Sequence, residues 1–299
     1  MPVRTLVALL GICMVSVFAQ APARSGSEVQ IILTAADHMN HRPWSLKAGD
    51  LTIVDATVTG VTPIENGRNL ELYIVMDDAA DYNLGARLGE LRRFIAGQPE
   101  AVAVGVAYLH DSVLQVAEKP TLDHLRAANA LRAPSGSKNA NPYCGISDLI
   151  DAWHNPAVAA LRREIVLITN GAGCANAEAA IQDAERAGVV LYALYNPVRS
   201  YASEKWSDVD TGIVRMAHIS YETGGEAYFT GHGPAVSFVP FLDDITEHLA
   251  NQYIVKFRLA AGPESGFQII RVNGETPDEE LMAPAAVWVP TAATATGGN

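Results

Sequence analysis

The chain has 299 residues, of which 33 are acidic and 21 are basic, giving a net charge of −12, and 49% are hydrophobic. This length is enough for one large domain, or for one medium domain with a small companion. The acidic balance argues against a nucleic-acid partner and against binding to an anionic membrane surface, because both need basic patches that bind phosphate.

Residues 1–19 have the pattern of a secretory signal peptide. Arg4 supplies a positive charge, an apolar stretch covers 6–18, and small residues precede Gln20. The apolar stretch is too short to span a bilayer stably, although an uncleaved anchor is the alternative interpretation. We therefore expect an exported protein, periplasmic or extracellular, that has no membrane span after cleavage.

Residues 20–68 are predicted to form an N-terminal β segment. Gly, Pro, Asn and Asp residues separate its strands, which are predicted at 29–33, 51–54 and 57–59. The segment is too small to form a hydrophobic core alone. We expect its strands to pair with strands from elsewhere in the chain.

Residues 69–250 alternate short apolar strands with amphipathic helices. Strands are predicted at 72–76, 101–108, 165–169, 189–194 and 227–229, with a further paired or edge strand at 111–116. Helices are predicted at 84–95, 122–131, 146–154, 177–187, 213–222 and 239–251. This alternation predicts an α/β fold, a doubly wound and mostly parallel sheet with helices on both faces.

Residues 251–290 return to a β pattern. Strands are predicted at 252–259, 266–272 and 285–289, and the Ala-, Thr- and Gly-rich tail at 291–299 is predicted to be disordered. We expect the N- and C-terminal β segments to come together as a small β module beside the α/β domain.

Two buried strands of the α/β domain end in oxygen-bearing residues. Asp77, Asp78 and Asp81 follow the strand at 72–76, and Asn170 follows the strand at 165–169. In open α/β sheets, ligands bind just beyond the carboxyl ends of the strands. The sequence therefore predicts a site at this edge of the sheet.

Two cysteines, Cys144 and Cys174, remain after removal of the predicted signal peptide. Both lie in loops near the predicted sheet edge, and export places them in an oxidising compartment where pairing is the default. A disulfide between them is the favoured interpretation. Two free buried thiols and a soft-metal pair are the alternatives.

The order of these features resembles a von Willebrand factor type A domain, and the two ends of the chain are similar to those of exported bacterial VWFA-related proteins. The resemblance rests on short segments at corresponding positions: Asp77–Asp81, Ser147–Ala152, Ile168–Gly171, Thr223–Gly225 and Asn251–Tyr253. Domains of this family carry a metal-ion-dependent adhesion site, in which Asp-x-Ser-x-Ser follows the first strand. A Thr that opens a later helix and an Asp after a fourth strand complete that site.

The resemblance implies that Asp77, Asp81, Ser147 and Asn170 are the metal ligands, with Mg²⁺ or another divalent cation as the cofactor. The motif is degenerate, because Ala79 lacks a hydroxyl, Asp81 replaces a Ser and Asn170 replaces an Asp. All four predicted ligands are still oxygen donors, which Mg²⁺ requires. Metal-dependent ligand binding and metal-free binding through loops both stay open.

The resemblance implies an exported, non-enzymatic adhesion-type protein that binds a protein partner through the loops at the carboxyl edge of the sheet. The alternative is an exported haloacid-dehalogenase-like phosphatase, because Asp77, Thr169–Asn170 and Asp243–Asp244 follow the order of that class. That chemistry needs a second Asp two residues after the nucleophile, where this chain has Ala79. Asp243 and Asp244 also fall within a helical pattern.

Overall fold

A computed structural model describes residues 28–36, 45–65, 67–80, 82–137, 141–153, 162–170, 176–196, 206–231, 236–260, 265–275 and 280–290. The predicted signal peptide at 1–19, the predicted tail at 291–299, Asp81 and Cys174 lie outside the described residues. Within the described ranges, no helix is long and apolar enough to cross a membrane.

The described strands are, in chain order, β1 (Glu28–Ala36), β2 (Leu51–Ile53), β3 (Ala56–Pro63), β4 (Leu70–Asp77), β5 (Ala103–His110), β6 (Val113–Thr121), β7 (Arg162–Thr169), β8 (Val189–Tyr195), β9 (Ala227–Phe229), β10 (Gln252–Leu259), β11 (Gly266–Ile269), β12 (Val272–Gly274), β13 (Glu280–Met282) and β14 (Ala286–Val289). The described helices are α1 (Leu88–Ala96), α2 (His124–Asn129), α3 (Pro142–Ala152), α4 (Ala177–Ala187), α5 (Trp206–Glu222) and α6 (Val239–Ala250). Short 3₁₀ turns lie at Ala48–Asp50 and Tyr82–Arg87.

The central sheet has the strand order β6-β5-β4-β7-β8-β9. The neighbours are parallel throughout, except that β6 pairs antiparallel with β5 at the edge. The chain runs outward from β4 to one edge and then returns through β7 to the other, so the switch point lies between β4 and β7. The predicted doubly wound, mostly parallel sheet is confirmed.

The two faces of the central sheet carry separate apolar layers. Alternate residues of β4 point to opposite faces, so Leu72 and Ile74 lie in one layer and Tyr73 and Val75 lie in the other. Helices α1, α2 and α6 contribute to the first layer, and α3, α4 and α5 to the second. Burial on both faces is what the continuous apolar run of β4 predicts.

The N- and C-terminal β segments form a separate β module with its own core. A sheet of order β13-β1-β10-β3 places β10 between two strands from the start of the chain, and β2 pairs with β12. The remaining pair joins β11 to β14. The prediction that these two segments come together is confirmed.

Helix α3 begins earlier than the sequence pattern predicts. The sequence pattern predicts a start at Ile146, whereas the helix begins at Pro142. Proline fits the first turn because its missing N–H has no helical partner there, and the buried Tyr143 extends the apolar face of the helix. Ser147 therefore lies in the second turn, directly after the first.

Candidate functional site

Asp77 ends β4 and is 1% exposed. Its Oδ1 accepts the backbone N–H of Ala79 at 2.9 Å, and its Oδ2 accepts the hydroxyl of Thr169 at 2.8 Å. Thr169 is the last residue of β7, so the second bond joins the ends of the two strands that flank the switch point. Both carboxylate oxygens of Asp77 are thus hydrogen-bonded within the chain.

Burial raises the pKa of Asp77 to about 6, and the negative charge of Asp78 adds to this effect. The hydrogen bonds from Ala79 and Thr169 act in the opposite direction, because they favour the ionised carboxylate. Two donors are therefore insufficient to offset the loss of water around this group.

Asp78 is fully buried and receives more donors than its neighbour. The guanidinium of Arg132 donates to both of its oxygens, at 2.6 and 2.9 Å. Ser135 donates its backbone N–H at 3.1 Å and its hydroxyl at 2.9 Å, and Nδ1 of His110 lies 3.0 Å from Oδ2. Burial alone raises the pKa of Asp78, but the bonds from Arg132, Ser135 and His110 lower it to about 2.

The loop that supplies Arg132 is also anchored to β5 and to the turn after it. The guanidinium of Arg132 lies 3.8 Å from the centre of the Tyr108 ring, and the backbone N–H of Arg132 donates to the Tyr108 hydroxyl at 2.5 Å. Ser137 donates its hydroxyl to Asp111 at 2.9 Å and accepts the backbone N–H of Asp111 at 2.9 Å. We call residues 110–112 and 132–137 the rim.

Two of the predicted metal ligands are hydrogen-bonded to groups outside the predicted set. The side-chain amide of Asn170 donates to the carbonyl of Ala79 at 2.7 Å, so Asn170 lies against the turn that follows Asp77. The hydroxyl of Ser147 donates to Asp183 of α4 at 2.7 Å. Asp81 lies outside the described residues.

The oxygens of Asp77 and Ser147 keep lone pairs, because each carboxylate oxygen of Asp77 accepts one protein donor and the Ser147 hydroxyl is itself the donor to Asp183. Mg²⁺ takes its ligands as an octahedron of oxygens. Cation binding by Asp77, Asp81, Ser147 and Asn170 stays a prediction.

The predicted disulfide between Cys144 and Cys174 is not present, because Cys144 is a free thiol. Its sulfur accepts the side-chain amides of Asn141 at 3.2 Å and Asn176 at 3.3 Å. These two amides lie at the starts of α3 and α4, so the thiol joins the two helices through hydrogen bonds.

No sequence motif predicts the network around Asp78. Arg132 and Ser135 lie in a segment that shows only a Pro-, Gly-, Ser- and Asn-rich composition, and His110 is one of eight scattered histidines. The one local signal was the second acidic residue directly after Asp77, which a buried strand end accommodates only with a counter-charge.

No protein-family model and no curated protein matches the chain. Among solved structures, it is similar to an aerotolerance-related membrane protein from Bacteroides fragilis, at 16% identity and a TM-score of 0.44 over 60% of this chain and 98% of that chain. It is similar to BatB from Bacteroides thetaiotaomicron at 14% identity and a TM-score of 0.45, over 60% of this chain and 97% of that chain. A von Willebrand factor type A protein from Catenulispora acidiphila matches at 10% identity and a TM-score of 0.45, over 90% of this chain and 75% of that chain.

Sequence identities and TM-scores this low do not support the assignment of a function to the chain. The strand order of the central sheet, its antiparallel edge strand and the helices on both faces give the chain a von Willebrand factor type A-like fold. Fold alone does not fix what such a domain binds.

Proposed function

We propose that this protein is an exported, non-enzymatic binding protein, and that the rim is the surface that contacts its protein partner. The observation that carries the proposal is the set of hydrogen bonds from Arg132, Ser135 and His110 to the fully buried Asp78. A loop held in this way is ordered before binding, so it loses little conformational entropy when a partner docks. Export rests on the pattern of residues 1–19.

The rim presents charges of both signs around its anchored centre. The side chains of Arg132, His110 and Asp111 are 41%, 38% and 49% exposed. Polar side chains on a rigid loop are typical of surfaces that recognise another protein.

Ser135, His110 and Asp78 are the residue types of a hydrolase triad, but their connectivity is different. In a triad, one imidazole nitrogen faces the acid and the other accepts the proton of the nucleophile. Here the Ser135 hydroxyl donates directly to Asp78, and the same nitrogen of His110 that faces Asp78 lies 3.4 Å from the Ser135 oxygen. This trio therefore anchors the loop and does not activate a nucleophile.

The phosphatase alternative lacks its acid–base residue. Ala79 occupies the position that the second Asp requires, and Asp243 and Asp244 lie within α6 and not after a strand. The hydrogen bond that Thr169 donates to Asp77 joins the ends of β4 and β7, which is a structural role.

Site-specific photo-crosslinking tests the proposal. A photoreactive phenylalanine analogue replaces the exposed Ala133 of the rim, or the exposed Thr57 of the β module as a control, in cells that express the full chain. We expect Ala133 to capture one discrete protein species that Thr57 does not capture. Equal capture at both positions, or none at Ala133, would contradict the proposal.

Two further conditions sharpen this experiment. Arg132→Ala should abolish capture at Ala133, because it releases the loop from Asp78. A chelator should leave capture unchanged, whereas loss of capture in the chelator and in Asp77→Ala would favour the cation-dependent model instead.

A further inference from the structure

Three side chains that commonly bind metals converge between β9 and α6, at the edge of the central sheet. Glu226 directly precedes β9, and Asp244 and His248 lie one turn apart on α6. One ligand atom from each lies within 4.8 Å of the others. Nε2 of His248 is 3.9 Å from Oε2 of Glu226 and 3.9 Å from Oδ2 of Asp244, which is too long for a hydrogen bond in either case.

The imidazole of His248 is held in place by groups other than these carboxylates. His248 is 3% exposed, and its ring stacks on that of Tyr192 with the centroids 5.9 Å apart. Its Nδ1 lies 3.4 Å from the hydroxyl oxygen of Tyr228, and that hydroxyl donates to Asp244 at 2.7 Å. The orientation of the ring is thus fixed by two aromatic neighbours.

One tautomer of His248 suits both contacts of the Tyr228 hydroxyl. When that hydroxyl donates to Asp244 at 2.7 Å, its oxygen is the acceptor for a proton on Nδ1 of His248, 3.4 Å away. In this tautomer Nε2, the nitrogen 3.9 Å from each carboxylate, carries the lone pair. Histidines that bind metals have this arrangement, with one nitrogen on the metal and the other donating to a fixed oxygen.

We propose that Glu226, Asp244 and His248 form a Zn²⁺ site. Two carboxylates and one neutral imidazole balance the charge of a divalent cation, and Zn²⁺ sites with three protein ligands leave a fourth position for water. The nitrogen ligand favours Zn²⁺ over Mg²⁺ and Ca²⁺, which take oxygen ligands.

The observed spacing is close to what Zn²⁺ requires. Bonds of about 2.0–2.2 Å in a tetrahedron place neighbouring ligand atoms roughly 3.4 Å apart, so the two 3.9 Å separations from Nε2 must shorten by about half an ångström. The two carboxylate oxygens lie within 4.8 Å of each other and must approach by up to about 1.4 Å. The Glu226 and Asp244 side chains are each 39% exposed, which leaves them room to move and gives water access.

This site does not depend on the proposed function of the rim. Asp77 ends β4, whereas Glu226 precedes β9, and the strands β7 and β8 lie between β4 and β9 in the sheet. The two sites are therefore separated across the width of the sheet, and the loss of one should leave the other intact.

Calorimetric titration of ZnCl₂ into the chelator-treated full chain tests the site. We expect one equivalent to bind, with affinity weakened at least about tenfold by His248→Ala or Glu226→Gln. Asp243→Ala and Glu247→Ala are matched controls, because they remove exposed carboxylates from the same helix, and Asp77→Asn controls for the strand-end site. All three controls should keep the wild-type affinity.

Because His248 is buried, Glu226→Gln is the decisive variant, since it changes a partly exposed side chain without opening the core. Co²⁺ provides a second readout, because a nitrogen ligand and a low coordination number give bound Co²⁺ a visible absorption band that Glu226→Gln should weaken. The absence of saturable Zn²⁺ binding by the wild type, or equal affinity in Glu226→Gln and Glu247→Ala, would overturn the proposal.

Discussion

The rim and the β9–α6 cluster both contain carboxylates next to a histidine, but they satisfy these carboxylates differently. Asp78 accepts hydrogen bonds from a guanidinium, a backbone N–H and a hydroxyl, and an imidazole nitrogen lies 3.0 Å away. Asp244 accepts the Tyr228 hydroxyl, and its nearest imidazole nitrogen is 3.9 Å away. The first arrangement neutralises a carboxylate with protein donors, and the second belongs to the cluster that we propose binds Zn²⁺.

The adjacent Asp77 and Asp78 also differ in the hydrogen bonds that their carboxylates accept, and their pKa values differ accordingly. Both are buried at the end of one strand, but the pKa of Asp77 rises to about 6 while that of Asp78 falls to about 2. The difference comes from the number of donors, because hydrogen bonds from Arg132, Ser135 and His110 lower the pKa of Asp78, whereas Asp77 has those of Ala79 and Thr169.

Arg132→Ala should have the largest effect on stability. It leaves the buried Asp78 without its counter-charge, and we expect the free energy of unfolding to fall by about 3 kcal/mol. Urea unfolding measures this change. Arg126→Ala is the control, because Arg126 is 65% exposed and its pair with Glu118 should contribute less than about 1 kcal/mol. Equal losses in the two variants would show that the ion pair of Arg132 with Asp78 stabilises the protein no more than an exposed ion pair does.

Asp77→Asn should change how stability depends on pH. A carboxyl whose pKa rises on folding holds its proton more tightly in the folded state, so its contribution to stability falls as pH rises from about 4 to about 6. Asp78 acts in the opposite sense, and its contribution is lost as pH falls from about 4 to about 2.

The difference in unfolding free energy between wild type and Asp77→Asn should therefore move by about 2 kcal/mol in favour of the variant between pH 4 and pH 7. Urea titrations in a chelator at a series of pH values measure it. A difference that does not vary with pH would mean that burial does not raise the pKa of Asp77.

Tyr228→Phe should have the smallest effect on stability. It removes one hydroxyl and keeps the ring, so we expect the free energy of unfolding of the metal-free protein to fall by about 1 kcal/mol. The same variant should weaken Zn²⁺ binding by about tenfold, because the hydroxyl orients His248 and Asp244. Thermal unfolding with and without Zn²⁺ separates the two effects, and unchanged Zn²⁺ affinity would remove Tyr228 from the site.

The fold could be predicted because most helices and strands have a recognisable pattern in their own short stretch of sequence. The apolar run at 72–76 predicts a strand buried on both faces, and β4 is such a strand. The edge strand predicted at 111–116 is β6, which pairs antiparallel with β5. Two helices are exceptions, because α3 begins at Pro142 and not at 146, and α5 begins at Trp206 and not at 213.

The sites could not be predicted in the same way, because their residues meet only through the tertiary fold. Asp78 and Arg132 are 54 residues apart, and no periodic pattern links them. Asp244 and His248 have the spacing of one helical turn, which is visible in the sequence. Glu226 joins them only because β9 pairs with β8 at the edge that α6 covers.

The position of β10 in the β module has a consequence for the order in which the molecule assembles. β10 lies between β1 and β3, and Glu28 of β1 faces Arg258 of β10, more than two hundred residues later. Closing so large a loop is slow, and the contact cannot form until β10 has been made. β1 and β3 therefore lack their shared partner strand until the end of the chain is available, whereas all strands of the central sheet precede β10. We expect the β module to fold after the central sheet, and its unpaired strand edges to be the ones most exposed to mispairing with another copy.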